Sequence, residues 1–117
     1  MEKNILVLDD DPQILSLIKR TLCKQGFSVV TYSDPDDALE YFRRSNIEYD
    51  LIITDIEMPK MNGFDFVGKV KNIDPDIKTL GMSGSKTINL QKEKFSNFIE
   101  KPFGIIELRK AVESTLL

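Results

Sequence analysis

A chain of 117 residues with 41% hydrophobic and 30% charged content is long enough for one core and too apolar to remain disordered. Its net charge of -3 argues against a broad nucleic-acid footprint, and no apolar run is long enough to cross a bilayer. The single cysteine, Cys23, excludes an internal disulfide, and the absence of histidine excludes histidine-ligated metals, histidine-based triads and a phosphohistidine carried by this chain itself.

Ile5 to Leu8 form an unbroken apolar run, as expected of a parallel strand covered on both faces. Asp9, Asp10 and Asp11 close it. Asp11-Pro12 reads as a helix cap followed by proline at the first helical position. Ile14, Leu15, Ile18 and Leu22 then recur at helical spacing, with Gly26 as the stop. Cys23, beside Leu22, is expected to pack as a small apolar side chain. Phe27 to Tyr32 reads as a second strand, rich in β-branched residues. Ser33-Asp34-Pro35 repeats the cap-plus-proline device, Asp36 and Asp37 complement the helix dipole, and Ala38, Leu39 and Phe42 form the inner face. Leu51 to Thr54 is the third strand, ending on Asp55.

Met58, Pro59 and Gly63 turn the chain, with Met58 and Met61 placed to cover the Asp55 loop. Phe64, Val67 and Val70 define a third helical face, which Asp74-Pro75-Asp76 ends. Ile77 to Met82 reads as a fourth strand with Gly81 inside it, followed by a turn at Ser83-Gly84-Ser85. Across residues 86 to 96, Ile88, Leu90 and Phe95 make no strong stripe, which predicts at most a short helix. Asn97 to Glu100 is a fifth strand, and Ile105, Leu108, Val112 and Leu116 mark a final amphipathic helix.

This alternation predicts an α/β fold: one domain over residues 1–117, a doubly wound five-stranded parallel sheet with right-handed crossovers and helices on both faces. In such sheets ligands sit beyond the carboxyl ends of the strands. Asp9, Asp10, Asp55, Ser83 and Lys101 all fall at such ends.

With the first and third strands as neighbours, Asp10 and Asp55 would lie one strand spacing apart, roughly 5 Å. Carboxylates that close repel unless one is protonated or a cation lies between them. An oxygen-only cluster suits Mg²⁺, held by Asp10 and Asp55, with Asp9 acting through a water and the backbone carbonyl of Glu57 as a further ligand. Asp55 itself is a carboxylate nucleophile toward phosphoryl donors. Lys101 would supply a point cation against the phosphoryl oxygens, Pro102 would fix the backbone beside it, and Ser83 would donate a hydroxyl hydrogen bond.

Taken together, Leu8-Asp9-Asp10, Asp55 with Met58-Pro59 and Gly63, Ser83-Gly84 and Lys101-Pro102-Phe103 resemble the receiver domain of two-component response regulators, over the whole chain. The resemblance implies a flavodoxin-like strand order 2-1-3-4-5. It implies Asp55 as phosphoacceptor, Asp9 and Asp10 as an acidic Mg²⁺ pocket, Ser83 and Phe98 as switch residues and Lys101 as the phosphoryl-contacting lysine. It further implies a histidine kinase or histidine phosphotransfer protein as partner, Mg²⁺-dependent self-phosphorylation from a donor, slow autodephosphorylation, a cytoplasmic location, and no direct contact with nucleic acid or membrane. The surface around the fourth helix and fifth strand would change on phosphorylation.

Two departures stand out. The stretch between Ser83 and Lys101 is shorter than usual in that family and lacks its Gly-Ala before the fifth strand, so a short or irregular fourth helix is expected. Phe98 stands where many relatives carry tyrosine. Two other readings compete. An aspartate-nucleophile phosphatase of the haloacid-dehalogenase type would use Asp9 within Asp9-x-Asp11, but Pro12-Gln13 departs from its motif and the chain looks too short for its later motifs. A phosphorylation-independent interaction module would keep the fold without the chemistry. The sequence leaves open what output, if any, is joined to this chain.

Overall fold

As far as α3, strand and helix alternate because each apolar run ends at a residue that stops it and a capping side chain starts the helix that follows. The computed structural model describes residues 2–84 and 94–117. Among these, the order is β1 (Asn4–Leu8), α1 (Pro12–Lys24), β2 (Ser28–Tyr32), α2 (Pro35–Arg44), β3 (Leu51–Asp55), α3 (Gly63–Ile73), β4 (Lys78–Ser83), β5 (Asn97–Glu100) and α4 (Ile105–Leu116). Asp11 caps α1 by accepting from the Gln13 N–H at 2.9 Å, and Asp34 caps α2 by accepting from Asp36 and Asp37 at 2.8 and 3.3 Å. Asn62 caps α3 in the same way, accepting from Asp65 at 2.9 Å. After α1, Gly26 takes a left-handed φ of 95°, and its N–H donates to the Cys23 carbonyl. That conformation is strained for a residue carrying Cβ, so glycine terminates the helix here.

All five strands are parallel, in the order β2-β1-β3-β4-β5. Ile5, Val7, Leu51 and Ile53 point to one side, onto Leu15, Ile18 and Leu22 of α1 and Leu108 and Val112 of α4. Leu6, Leu8 and Ile52 point to the other, onto Ala38, Leu39 and Phe42 of α2 and Phe66, Val67 and Val70 of α3. The central strands are therefore sealed on both faces, and Ile5 to Leu8 and Leu51 to Ile53 are all fully buried. Each such side chain contributes about 1.5–3 kcal/mol of transfer free energy.

Some details differ from the sequence reading. Cys23 is exposed, because one step past Leu22 turns it about 100° away from the buried stripe of α1. In α4, Leu108 and Val112 face inward as expected, whereas Ile105 is 51% exposed and Thr115 is buried near the C-terminal end. The centre of α3's inner face is Phe66 rather than the half-buried Phe64. Gly81 does lie inside β4, where the Phe98 ring takes the space a side chain would occupy. Most of the segment expected to hold a short helix, including Ile88 and Leu90, lies outside the described residues, whereas Phe95 is buried and stacks between Phe64 and Phe98.

Candidate functional site

The carboxyl ends of β1, β3 and β4 lie side by side, and each delivers one polar residue to the same place. The parallel register pairs Leu8 with Thr54, so the residue lateral to Asp55 is Asp9 and not Asp10. Asp9 thus stands closer in the register than expected, with Asp10 beside it. Asp9 is fully buried, and its Oδ1 accepts from the Asp11 N–H at 2.9 Å, while Asp10 sits exposed at the rim. Even so, carboxylate oxygens of Asp9, Asp10 and Asp55 all lie within 4.8 Å of one another.

Asp55 is 5% exposed and ends β3. Its Oδ1 faces the Glu57 N–H at 3.4 Å. The loop that follows folds tightly back beneath it. The Gly63 N–H donates to the Ile56 carbonyl at 2.9 Å, and a Cβ at Gly63 would lie 2.5 Å from the Asp55 carbonyl oxygen. Gly63 is thus required for the close approach of α3 to the Asp55 backbone, a stronger role than the turn read from sequence.

Lys101 arrives from β5. Its backbone N–H donates to the Ser83 carbonyl at 2.8 Å, and a cis peptide joins it to Pro102. Its Nζ lies 2.7 Å from Asp9 Oδ2 and 3.5 Å from Asp55 Oδ2. Two carboxylates thus face one ammonium, and Asp10 adds a third acid to the cluster. Burial pushes the Asp55 carboxyl up to about 6, reinforced by the charge of Asp9 and opposed by Lys101. Asp9 is raised for the same first reason, against its hydrogen bond from Lys101. Burial alone would lower the Lys101 ammonium, but Asp9 and Asp55 together outweigh it and hold the proton on. A site of hard oxygen donors with surplus negative charge fits a hard divalent cation.

A match to the family of the response regulator receiver domain runs over residues 5–113. This chain belongs to that family. The receiver domain is 32% identical over 116 residues to the DNA-binding transcriptional regulator NtrC of Azospirillum brasilense, a match covering 96% of this chain and 24% of NtrC. It is 28% identical over 119 residues to the response regulator receiver protein CpdR of Brucella abortus, covering 98% of each chain. The response regulator protein TrrA of Thermotoga maritima, solved in complex with Mg²⁺–BeF, superposes with a TM-score of 0.86 at 32% identity, covering 98% of this chain and 99% of that one.

The remaining residues singled out from sequence fall nearby. Ser83 is 2% exposed at the end of β4, and its Oγ donates to Glu57 Oε1 at 3.0 Å. Phe98 is half-buried, with its ring over Gly81 and 5.0 Å from that of Phe95. Met58 and Met61 pack against the core face of α2 and α3. Sequence reasoning gave Glu57 a role only through its backbone carbonyl and missed its side chain. The available signal was an acid two residues beyond Asp55, at a sheet edge already bearing Asp9, Asp10 and Asp55.

Proposed function

We propose that this receiver domain is a phosphoacceptor switch of a two-component system, phosphorylated on Asp55 by a partner carrying phosphohistidine. The observation that supports this most directly is the Asp55 carboxylate at a strand end, 3.5 Å from the Lys101 ammonium within a trio of acids. An Asp55 oxygen attacks phosphorus, the phosphorus–nitrogen bond of the donor breaks, and imidazole leaves, giving an aspartyl phosphate. With its carboxyl held at about 6, Asp55 is mostly ionised near pH 7, so the nucleophile is available. Residues 1–117 contain no histidine, so the phosphohistidine lies outside them, on a histidine kinase or a histidine phosphotransfer protein. Hydrolysis later returns the carboxylate and inorganic phosphate.

Asp9, Asp10, Asp55 and the Glu57 carbonyl would hold Mg²⁺. That ion supplies neutralisation of the charge on the phosphoryl oxygens. Lys101 adds a fixed ammonium on the same side, and its hydrogen bond to Asp9 keeps it aimed across the site. Ser83 supplies a hydroxyl donor at the neighbouring strand end. Support for Asp55 over Asp9 as nucleophile comes from the tighter hold on Asp9, fully buried with contacts of 2.9 Å from Asp11 and 2.7 Å from Lys101, against 3.4 and 3.5 Å at Asp55.

Incubation with acetyl phosphate and Mg²⁺, read by intact mass, tests the proposal. One added phosphoryl group is expected on the wild-type chain and none on Asp55→Asn. Undiminished labelling of the Asn variant would refute the assignment. Labelling that proceeds equally well without a divalent cation would remove the ion from the scheme.

A further inference from the structure

The side chain of Glu57 is engaged in a contact that phosphoryl transfer alone does not explain. It reaches from the loop after β3 to the end of β4, where its Oε1 accepts the Ser83 hydroxyl at 3.0 Å. A serine hydroxyl carries one proton. While that proton is donated to Glu57, it is not available to a phosphoryl oxygen on Asp55. The Glu57 backbone is tied to the same nucleophile, since its N–H faces Asp55 Oδ1 at 3.4 Å. The acceptor that holds Ser83 therefore hangs from the residue whose amide faces the phosphorylated carboxylate.

We propose that Glu57 is a positioning residue that latches the Ser83 hydroxyl in the unphosphorylated domain, and that phosphorylation of Asp55 opens this latch by competing for the same proton. The proposal rests on the phosphoacceptor reading above. The driving force is electrostatic. A phosphoryl group brings about -2 charge and three strong acceptors, placed beside a carboxylate of like sign. Like charges repel, and Ser83 exchanges one anionic acceptor for another. Glu57 itself is exposed, so once released its carboxylate moves into water at little desolvation cost. Ser83 is buried, so its hydroxyl has to find a partner within the site in either state.

Two measurements on the full chain test the latch. In divalent-free buffer without phosphodonor, a double-mutant cycle of Glu57→Ala and Ser83→Ala on urea stability reads the hydrogen bond alone, and a non-zero coupling between the two positions is expected. With acetyl phosphate and Mg²⁺, Glu57→Ala is expected to speed labelling roughly tenfold, because Ser83 no longer has to leave a charged acceptor. The same replacement in a Ser83→Ala background should leave the rate within about twofold, since no latch remains to open. Glu57→Gln, which keeps a neutral acceptor at the same reach, should fall between wild type and Glu57→Ala. Equal acceleration in both Ser83 backgrounds would overturn the latch and leave only a general charge effect of Glu57. Additive stabilities, or no acceleration in either background, would overturn it as well. A wild-type chain that takes up no phosphoryl group fails the phosphoacceptor reading instead, and the stability cycle then still decides whether Glu57 holds Ser83.

Discussion

Replacing Asp55 by Asn should stabilise this receiver domain, by an amount that depends on pH. In the folded chain, burial and then the charge of Asp9 hold the Asp55 carboxyl at about 6, against an ordinary value of 3.8. As pH rises, the unfolded chain releases this proton first, so the folded state loses relative stability between those two values. Above about 6 the loss is complete. The gap amounts to about 3 kcal/mol, as an upper figure, because Asp9 and Asp55 share the site and titrate together. The amide of Asn has the shape of the carboxyl without its charge, so the variant escapes this cost. Urea unfolding followed by far-ultraviolet circular dichroism, in divalent-free buffer, should move the midpoint of the Asn variant upward by on the order of 1–2 M near pH 7.5. Near pH 4 the two midpoints should converge, because wild-type Asp55 is then largely protonated in the fold. Adding Mg²⁺ should raise the wild type more than the variant, by mass action on the folded state. A stability difference of the same size at both pH values would refute the electrostatic reasoning and place the effect in packing.

Two further predictions concern Lys101 and Gly81. Lys101→Ala should slow labelling by acetyl phosphate at least tenfold, roughly, since it removes the fixed ammonium 3.5 Å from Asp55. An unchanged rate and an unchanged lifetime of the phosphoryl group would return Lys101 to a purely structural role. Gly81→Ala should destabilise the domain by about 1–3 kcal/mol in urea unfolding, because a Cβ there would lie 2.7 Å from Phe98 Cε1 and 3.1 Å from Ile56 Cδ1. Combining it with Phe98→Leu should recover part of that loss, and failure to recover any would mean that the clash is absorbed elsewhere.

What was legible in the sequence was local or periodic. The apolar runs of β1 and β3 announce strands buried on both faces because nothing polar interrupts them, and Asp11-Pro12 and Asp34-Pro35 announce helix starts because a cap acts within two or three residues of itself. What was hidden depends on register between distant segments. Three consecutive acids after Leu8 do not say which one faces Asp55. That follows from the pairing of Leu8 with Thr54, which places Asp9 inward and Asp10 at the rim. The contact between Glu57 and Ser83 spans 26 positions and two strand ends, so no spacing rule reaches it. Gly81 looked like a flaw in a strand because the ring that fills its space comes from Phe98 on the neighbouring strand.

The resting domain holds its site together with two contacts that a phosphoryl group would have to exchange. Lys101 is closer to Asp9, at 2.7 Å, than to Asp55, at 3.5 Å, and Ser83 is bonded to Glu57. Both partners are acids other than the proposed phosphoacceptor. Such an arrangement keeps each donor satisfied in the unphosphorylated state, where an unpaired ammonium or hydroxyl in a buried site would be costly. It also ties the two donors together, because the Lys101 N–H donates to the Ser83 carbonyl and one backbone cannot shift without the other. On the phosphoacceptor reading proposed above, a new anion on Asp55 would act on β4 and β5 at once, and the Phe98 ring, seated over Gly81, would be the side chain to follow.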